Sequence, residues 1–345
     1  MTADPLFILG TERSGSNLLR LICNAHSRIT IPHPPHILRY FRPLEAGYGD
    51  LSTEANWAAL VRDIVRLVRT HIYPWEIAID EARLRREAQP RDAFGVYVAL
   101  HEQHREQSGK ARWGCKSTFM VDEVAALRAR FAQPKMILLV RDPRDVAVSS
   151  MKSIFSTFHP VKTAALWAAQ TAEGLRQLDL APAGQMTLLR YEDLVADPQR
   201  QLRALFSFLG EPFEAGVLRF FEGAEAKKSA GLSQSWKNTG RPISQGSVGR
   251  FAETLSPFER IGVEAACAPL MERLGYPLTC SEAEREAWTL GPRQRLAVAL
   301  RDGLLEAEVE LESLRKDRNV GRRYRRALLL RALSLRRGAG RGGNR

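Results

Sequence analysis

Short apolar runs alternate with longer amphipathic stretches along most of the chain. Leu6–Leu9, Lys135–Val140 (KMILLV) and Met186–Arg190 are the apolar runs. Their shortness, and the continuous apolar run of KMILLV, predict strands buried in a parallel sheet. Between them apolar residues recur at three- and four-residue spacing. That period predicts helices over Ser16–Ala25, Trp57–Thr70, Asp92–Gln107, Asp145–Phe155 and Thr163–Leu178. Two further helices carry start signals. Asp197-Pro198 sets a cap before a first-turn proline and opens a helix to Leu209. Ser256-Pro257-Phe258-Glu259 adds a capping box and opens a helix to about Leu274. Strands alternating with helices predict an α/β fold, a three-layer sandwich around a central parallel sheet. Ala226–Gly249, rich in Ser, Gly and Lys, is expected as a mobile loop. After Gly291 the pattern changes to a charged helix over Gln294–Arg318, a Leu/Arg stretch over Tyr324–Arg337, and a disordered GAGRGGNR end. The expected division is a domain over 1–280 and a basic helical extension over 291–345.

With 345 residues, 44% of them hydrophobic, the chain is long enough for one large α/β core plus an appendage. Its four cysteines (Cys23, Cys115, Cys267, Cys280) form no C-x-x-C pair and no metal spacing, which fits a reducing compartment. The N-terminus has no basic leader and no apolar run reaches the ~18 residues of a spanning helix. A cytoplasmic protein is expected, at most peripheral at the inner membrane face. The net charge of +12 changes meaning once it is located. Arg315–Arg345 holds twelve Lys/Arg against one Asp, a net of +11, so the remaining chain is about neutral. Basic character belongs to the tail, which argues against a nucleic-acid-binding domain.

The chemistry gathers where strands end, as ligand sites in open α/β sheets do. The first strand runs into GTERSGSN and then a helix. Strand, small-residue loop and helix form a cradle of backbone N–H groups for an anion. Gly10 and Gly15 have the glycine spacing of the ATP-binding loop, but Ser16-Asn17 stands where Lys-Ser/Thr is required, and Arg13 sits inside the loop. The second site is KMILLVRDPRDVAVSS, where Arg141 ends the strand and Ser149 lies on the next helix. An arginine and a hydroxyl make a donor set for a second phosphate. Together the sites point to a ligand with phosphates at two separated positions.

GTERSGSNLLR resembles the 5′-phosphosulfate loop of sulfotransferases that use 3′-phosphoadenosine 5′-phosphosulfate (PAPS), and LLVRDPRDVAVSS resembles their 3′-phosphate motif. RWGCKST, LLRYEDLVADP and GSVGRF follow the same pattern, so the resemblance covers about residues 6–278. It looks closer to the bacterial and the carbohydrate- or tyrosine-sulfating branches than to the small-molecule branch. The resemblance implies a P-loop NTPase-like sulfotransferase fold, PAPS as donor co-substrate and no metal. It implies that Arg13 contacts the 5′-phosphate and stabilises the leaving group, with Ser14, Gly15, Ser16 and Asn17 as further loop donors. Arg141 and Ser149 are implied at the 3′-phosphate, Tyr191 at the adenine, and Gly249 and Arg250 in a segment that closes over the 3′-phosphate. Lys116 matches a lysine near the transferring sulfuryl group.

The catalytic base departs from the pattern. Relatives place a Glu in a P-P-E-S-H-like stretch; here IPHPPHIL puts Pro34 at that position and His36 at the histidine. His36 or His33 is expected to replace the glutamate, since imidazole titrates near neutrality; Glu45 lies further along. Trp236, Arg241 and the lysines 227, 228 and 237 give the loop the character of an acceptor lid, with carbohydrate, glycolipid or another metabolite as acceptor. The basic tail reads as a solvated extension, a partner helix, or a helix on an anionic membrane surface. Two other functions compete: a kinase using ATP, which lacks its loop lysine, and a non-catalytic nucleotide-binding relative anchored by its tail. The non-family residues Glu12, Pro34 and Cys115 leave room for the latter.

Overall fold

The protein, here a computed structural model, is described over residues 4–153 and 159–338. Positions 154 and 155 of the expected Asp145–Phe155 helix, and residues 339–345 of GAGRGGNR, lie outside the described residues. Five strands form one sheet: Leu6–Leu9 (β1), Ile29–Thr30 (β2), Arg112–Lys116 (β3), Lys135–Val140 (β4) and Met186–Arg190 (β5). All pairings are parallel and the order is β2-β3-β1-β4-β5. The three apolar runs are strands with the bounds their pattern predicts. The two missed strands have physical reasons. β2 is two residues long, and β3 (RWGCK) mixes Arg, Gly and Lys into a fully buried strand. Only its seat between β1 and β2 makes it one.

The sheet carries a core on each face, as a three-layer sandwich requires. Along β1 the side chains alternate. Phe7 and Leu9 pack on one face against the helices Glu54–Arg69, Ala93–Gln107 and Pro160–Asp179. Leu6 and Ile8 pack on the other against Ser16–Asn24 and Pro198–Leu209. β1 and β4 sit side by side, with Ile8 beside Ile137. Their carboxyl ends, and the loops that follow them, therefore open at the same edge.

One expectation is corrected. Ala226–Gly249 is not an irregular loop over its first half: Ala224–Leu232 is an α-helix and Gln234–Gly240 a 3-10 turn. Its composition is loop-like, but tertiary contacts hold it. Trp236 is buried against the His33 ring at 4.8 Å. Asp317 accepts from Ser233 Oγ at 2.9 Å and from the Gln234 N–H at 2.8 Å.

The C-terminal extension forms two helices, Pro292–Lys316 and Val320–Gly338. The second lies on the domain: Leu333 is buried in the main core, with Leu329 and Leu330 packed beside it. Among the described residues, no helix is long and apolar enough to cross a membrane.

Candidate active site

The loop after β1 is a strained, backbone-lined cradle. Gly10 has φ +139°, and a Cβ there would meet Leu139 O at 2.2 Å, on the neighbouring strand β4. Gly15, at φ +89°, caps the helix Ser16–Asn24; a Cβ there would meet the Tyr191 ring at 2.5 Å. Glycine is therefore required at both ends. Between them Arg13 adopts φ +68°, a left-handed conformation uncommon outside glycine. Among the described residues, Thr11 Oγ1, Ser14 Oγ, Asn17 Nδ2 and Arg141 Nε are buried polar atoms without a partner. Buried donors are normally paired, so Asn17 Nδ2 and Arg141 Nε, which belong to residues lining the cleft, mark a place for a polar ligand.

The loop after β4 is locked to this cradle. Arg13 Nε donates to Ser149 Oγ at 3.1 Å. Arg141 Nη1 donates to Arg13 O at 2.9 Å and Nη2 to Ser247 O at 2.6 Å, while its guanidinium lies 4.7 Å from the Tyr191 ring centre. The rest of R-D-P-R-D is scaffolding. Arg144 is buried between Asp142 (2.6 Å) and Glu264 (2.7 Å). Asp145 accepts from the Gly249 N–H at 2.7 Å and the Phe251 N–H at 3.0 Å. That pair of bonds brings the late GSVGRF segment to the site.

These elements wall a cleft of about 630 Å³. Arg13, Gly15, Ser16, Asn17, His33, His36, Lys116, Arg141, Ser149 and Tyr191 all line it. Ser14 is fully buried and is not part of the lining. Gly249 and Arg250 are outside the lining: Gly246 and Ser247 reach the cleft, while Arg250 is exposed and bonds Gly246 O at 3.4 Å. Glu45 is elsewhere, accepting from the Ala93 N–H at 2.7 Å as a cap for that helix. Of the lid cations only Arg241 lines the cleft; Lys228 pairs with Glu76.

Burial sets the charges. It pulls Lys116, at the end of β3, down to about 8, with Arg20 adding to the effect. Arg13 is lowered to about 10, first by burial and then, against the opposing Glu12, by Arg141. His36 and His33 are held well below the usual imidazole value, by burial first, so both rings are neutral at neutral pH. They differ in fixation. His36, at φ +58°, has Nδ1 hydrogen-bonded to Ser117 Oγ at 2.9 Å. The His33 ring is stacked on Tyr73 at 5.4 Å and lies tilted at 40° to His71 at 5.1 Å. Sequence reading missed Ser117 as that partner, although it lies in RWGCKST. It also missed His71 and Arg326, which line the cleft from remote segments and carry no local signal.

The site is thus a cationic cleft beside a phosphate-type loop, with unpaired donors, a lysine of lowered basicity and a positioned neutral imidazole. Known proteins resemble this chain in sequence and fold. Zebrafish (Danio rerio) protein-tyrosine sulfotransferase 1 is 25% identical over 279 residues, spanning 79% of this chain and 72% of that protein. Human (Homo sapiens) carbohydrate sulfotransferase 1 is 26% identical over 208 residues, 48% of this chain and 46% of the relative. The chain therefore spans less than half of that second protein. The sulfotransferase domain from the curacin biosynthetic pathway has the same fold: TM-score 0.56 at 22% identity, over 80% of this chain and 99% of that one. The sulfotransferase family model matches residues 5–215, more than half of the chain and both phosphate-type loops, and this protein belongs to the sulfotransferase family.

Proposed function

We propose that this protein moves a sulfuryl group from PAPS to a hydroxyl or amine of its acceptor. One observation carries the donor assignment. Arg13, Arg141 and Ser149 converge from two strand ends, around buried donors that the protein itself leaves unpaired. A donor with a 5′-phosphosulfate and a 3′-phosphate fits two cationic loops; ATP fits less well, because the loop lacks its lysine.

The reaction is an in-line displacement. The acceptor oxygen or nitrogen forms a bond to sulfur while the bond from sulfur to the bridging 5′-phosphate oxygen breaks. That oxygen keeps the electron pair and leaves as 3′,5′-ADP. Lys116 and Arg13 stabilise the charge that grows on it. The acceptor proton goes to His36. With Nδ1–H donating to Ser117, Nε2 holds the lone pair a base needs. His33, held in a ring stack, shapes the acceptor side.

The test is thermal stabilisation by 3′,5′-ADP, set beside ADP and Mg-ATP. A ligand that binds only the folded state raises the melting temperature by mass action. The expected result is stabilisation by 3′,5′-ADP alone, lost in Arg141→Ala. Preference for Mg-ATP would transfer the site to a kinase. Donor binding without turnover on any acceptor would make the protein a binder.

A further inference from the structure

The cleft has a second cationic end that the donor does not explain. Among its described lining residues the cations are Arg13, Lys116, Arg141, Arg241 and Arg326, against the single carboxylate of Glu12. Arg326 comes from the C-terminal helix, beyond the family match over 5–215. Two other arginines of that helix are spent within the protein. Arg323 pairs with Glu310 at 2.6 Å, and Arg322 donates to Arg69 O at 3.4 Å. Among the described residues, Arg326 has no carboxylate partner. It makes a 3.3 Å bond to Pro35 O, its guanidinium lies 5.2 Å from the Tyr40 ring centre, and its buried Nε is unpaired.

We propose that Arg326 is an acceptor-recognition residue, reading an oxyanion (carboxylate or sulfonate) on the acceptor beside its reacting hydroxyl. This rests on the sulfuryl-transfer reading of the same cleft. The bond to Pro35 O holds the guanidinium at the residue preceding His36, and both side chains line the cleft, so an oxyanion bound there shares the cleft with the group that takes the proton. The helix is fixed rather than trailing. Leu333 is buried, and Asp317 ties the preceding turn to Ser233 and Gln234 of the lid. A half-buried guanidinium without a counter-ion gains most from an anionic ligand, because its fork matches an oxyanion bidentately. In physical terms, the tail that dominates the net charge supplies one of its arginines to the site.

The experiment uses the full chain saturated with 3′,5′-ADP and three probes: 4-hydroxybenzoate, 4-hydroxybenzenesulfonate and the neutral 4-hydroxybenzamide. Binding is read as further thermal stabilisation and by titration calorimetry. The wild type is expected to bind both oxyanions at least tenfold more tightly than the amide. Arg326→Gln should bring the ratio close to one, and Arg326→Lys should keep part of it. In both variants the shift caused by 3′,5′-ADP should persist, which also reports that they fold. Equal binding of amide and carboxylate by the wild type, no binding of either oxyanion at any soluble concentration, or an unchanged ratio in Arg326→Gln would overturn the proposal. Failure of 3′,5′-ADP to stabilise the wild type is read before any probe is added, and it sinks the donor reading instead. A preference for the sulfonate over the carboxylate would identify the oxyanion.

Discussion

On the proposed reading the cleft has a donor end and an acceptor end, and the two are built by different rules. The donor end comes from residues that are neighbours in sequence and sit where parallel strands stop. The loop 10–17 follows β1, Arg141 follows β4, and β1 and β4 are paired. The acceptor end is assembled across the whole chain. Its wall takes His33 and His36 from the Pro-rich connection, Trp236 from the lid and Arg326 from the last helix. Glu225 on the lid helix pairs with fully buried Arg20 on the first. The difference teaches where variation is tolerated. A strand-end loop is dictated by sheet geometry, whereas a wall of remote segments changes with any of them.

Lys116 sits at the seam of the two ends and is expected to show the largest effect. Lys116→Ala should lower kcat by roughly 10²–10³-fold, the usual cost of removing one fixed donor from a developing oxyanion. Binding of 3′,5′-ADP should stay within a few-fold, which single-turnover kinetics and calorimetry would separate. The same residue is expected to set the alkaline limb. Its lowered pKa of about 8 means that the ammonium is lost as pH rises through that value, so turnover should fall above it. In Lys116→Arg the limb should move to higher pH, because guanidinium stays charged. An alkaline limb that stays put would assign it to another group.

Asp317 tests the acceptor end alone. It ties Ser313 Oγ at 2.9 Å to the lid contacts at Ser233 and Gln234. Asp317→Ala leaves those groups unpaired, at about 1–3 kcal/mol. Faster hydrogen exchange over 233–240 and a higher acceptor KM are expected, with 3′,5′-ADP affinity unchanged. Equal loss of donor affinity would mean that the two ends are mechanically one.

The smallest effect compares a histidine from each layer. Burial lowers His71, in the cleft, and His101, in the core beside Trp113, to about 3 each. Between that value and the ordinary 6.5 the unfolded chain binds protons that the folded one does not. Stability is therefore full above 6.5 and falls as pH drops below it, by up to about 1.4 kcal/mol per pH unit for each histidine. Urea midpoints measured from pH 7 to 5 should follow this slope. His71→Gln should flatten it by one proton's worth, and an unaltered slope would mean that His71 is charged in the fold.

The sequence alone determined the sheet's centre and the two loops that follow its strands. Leu6–Leu9, KMILLV and Met186–Arg190 are apolar because parallel strands are covered on both faces, and the loops after them follow from where such strands end. That Arg13, Gly15, Arg141 and Ser149 line one cleft follows from the same reason: their spacing is local and their backbone demands are specific. Only the tertiary structure made β3 a strand, since RWGCK has no strand pattern until β1 and β2 flank it. Only it turned the Ser- and Gly-rich 224–240 into helical structure, through Trp236 and Asp317. Only it singled out Arg326 among the twelve basic residues of 315–345. In a composition those twelve are interchangeable. Leu333 entering the core fixes which face of the last helix turns inward, and that packing decides which arginine reaches the cleft.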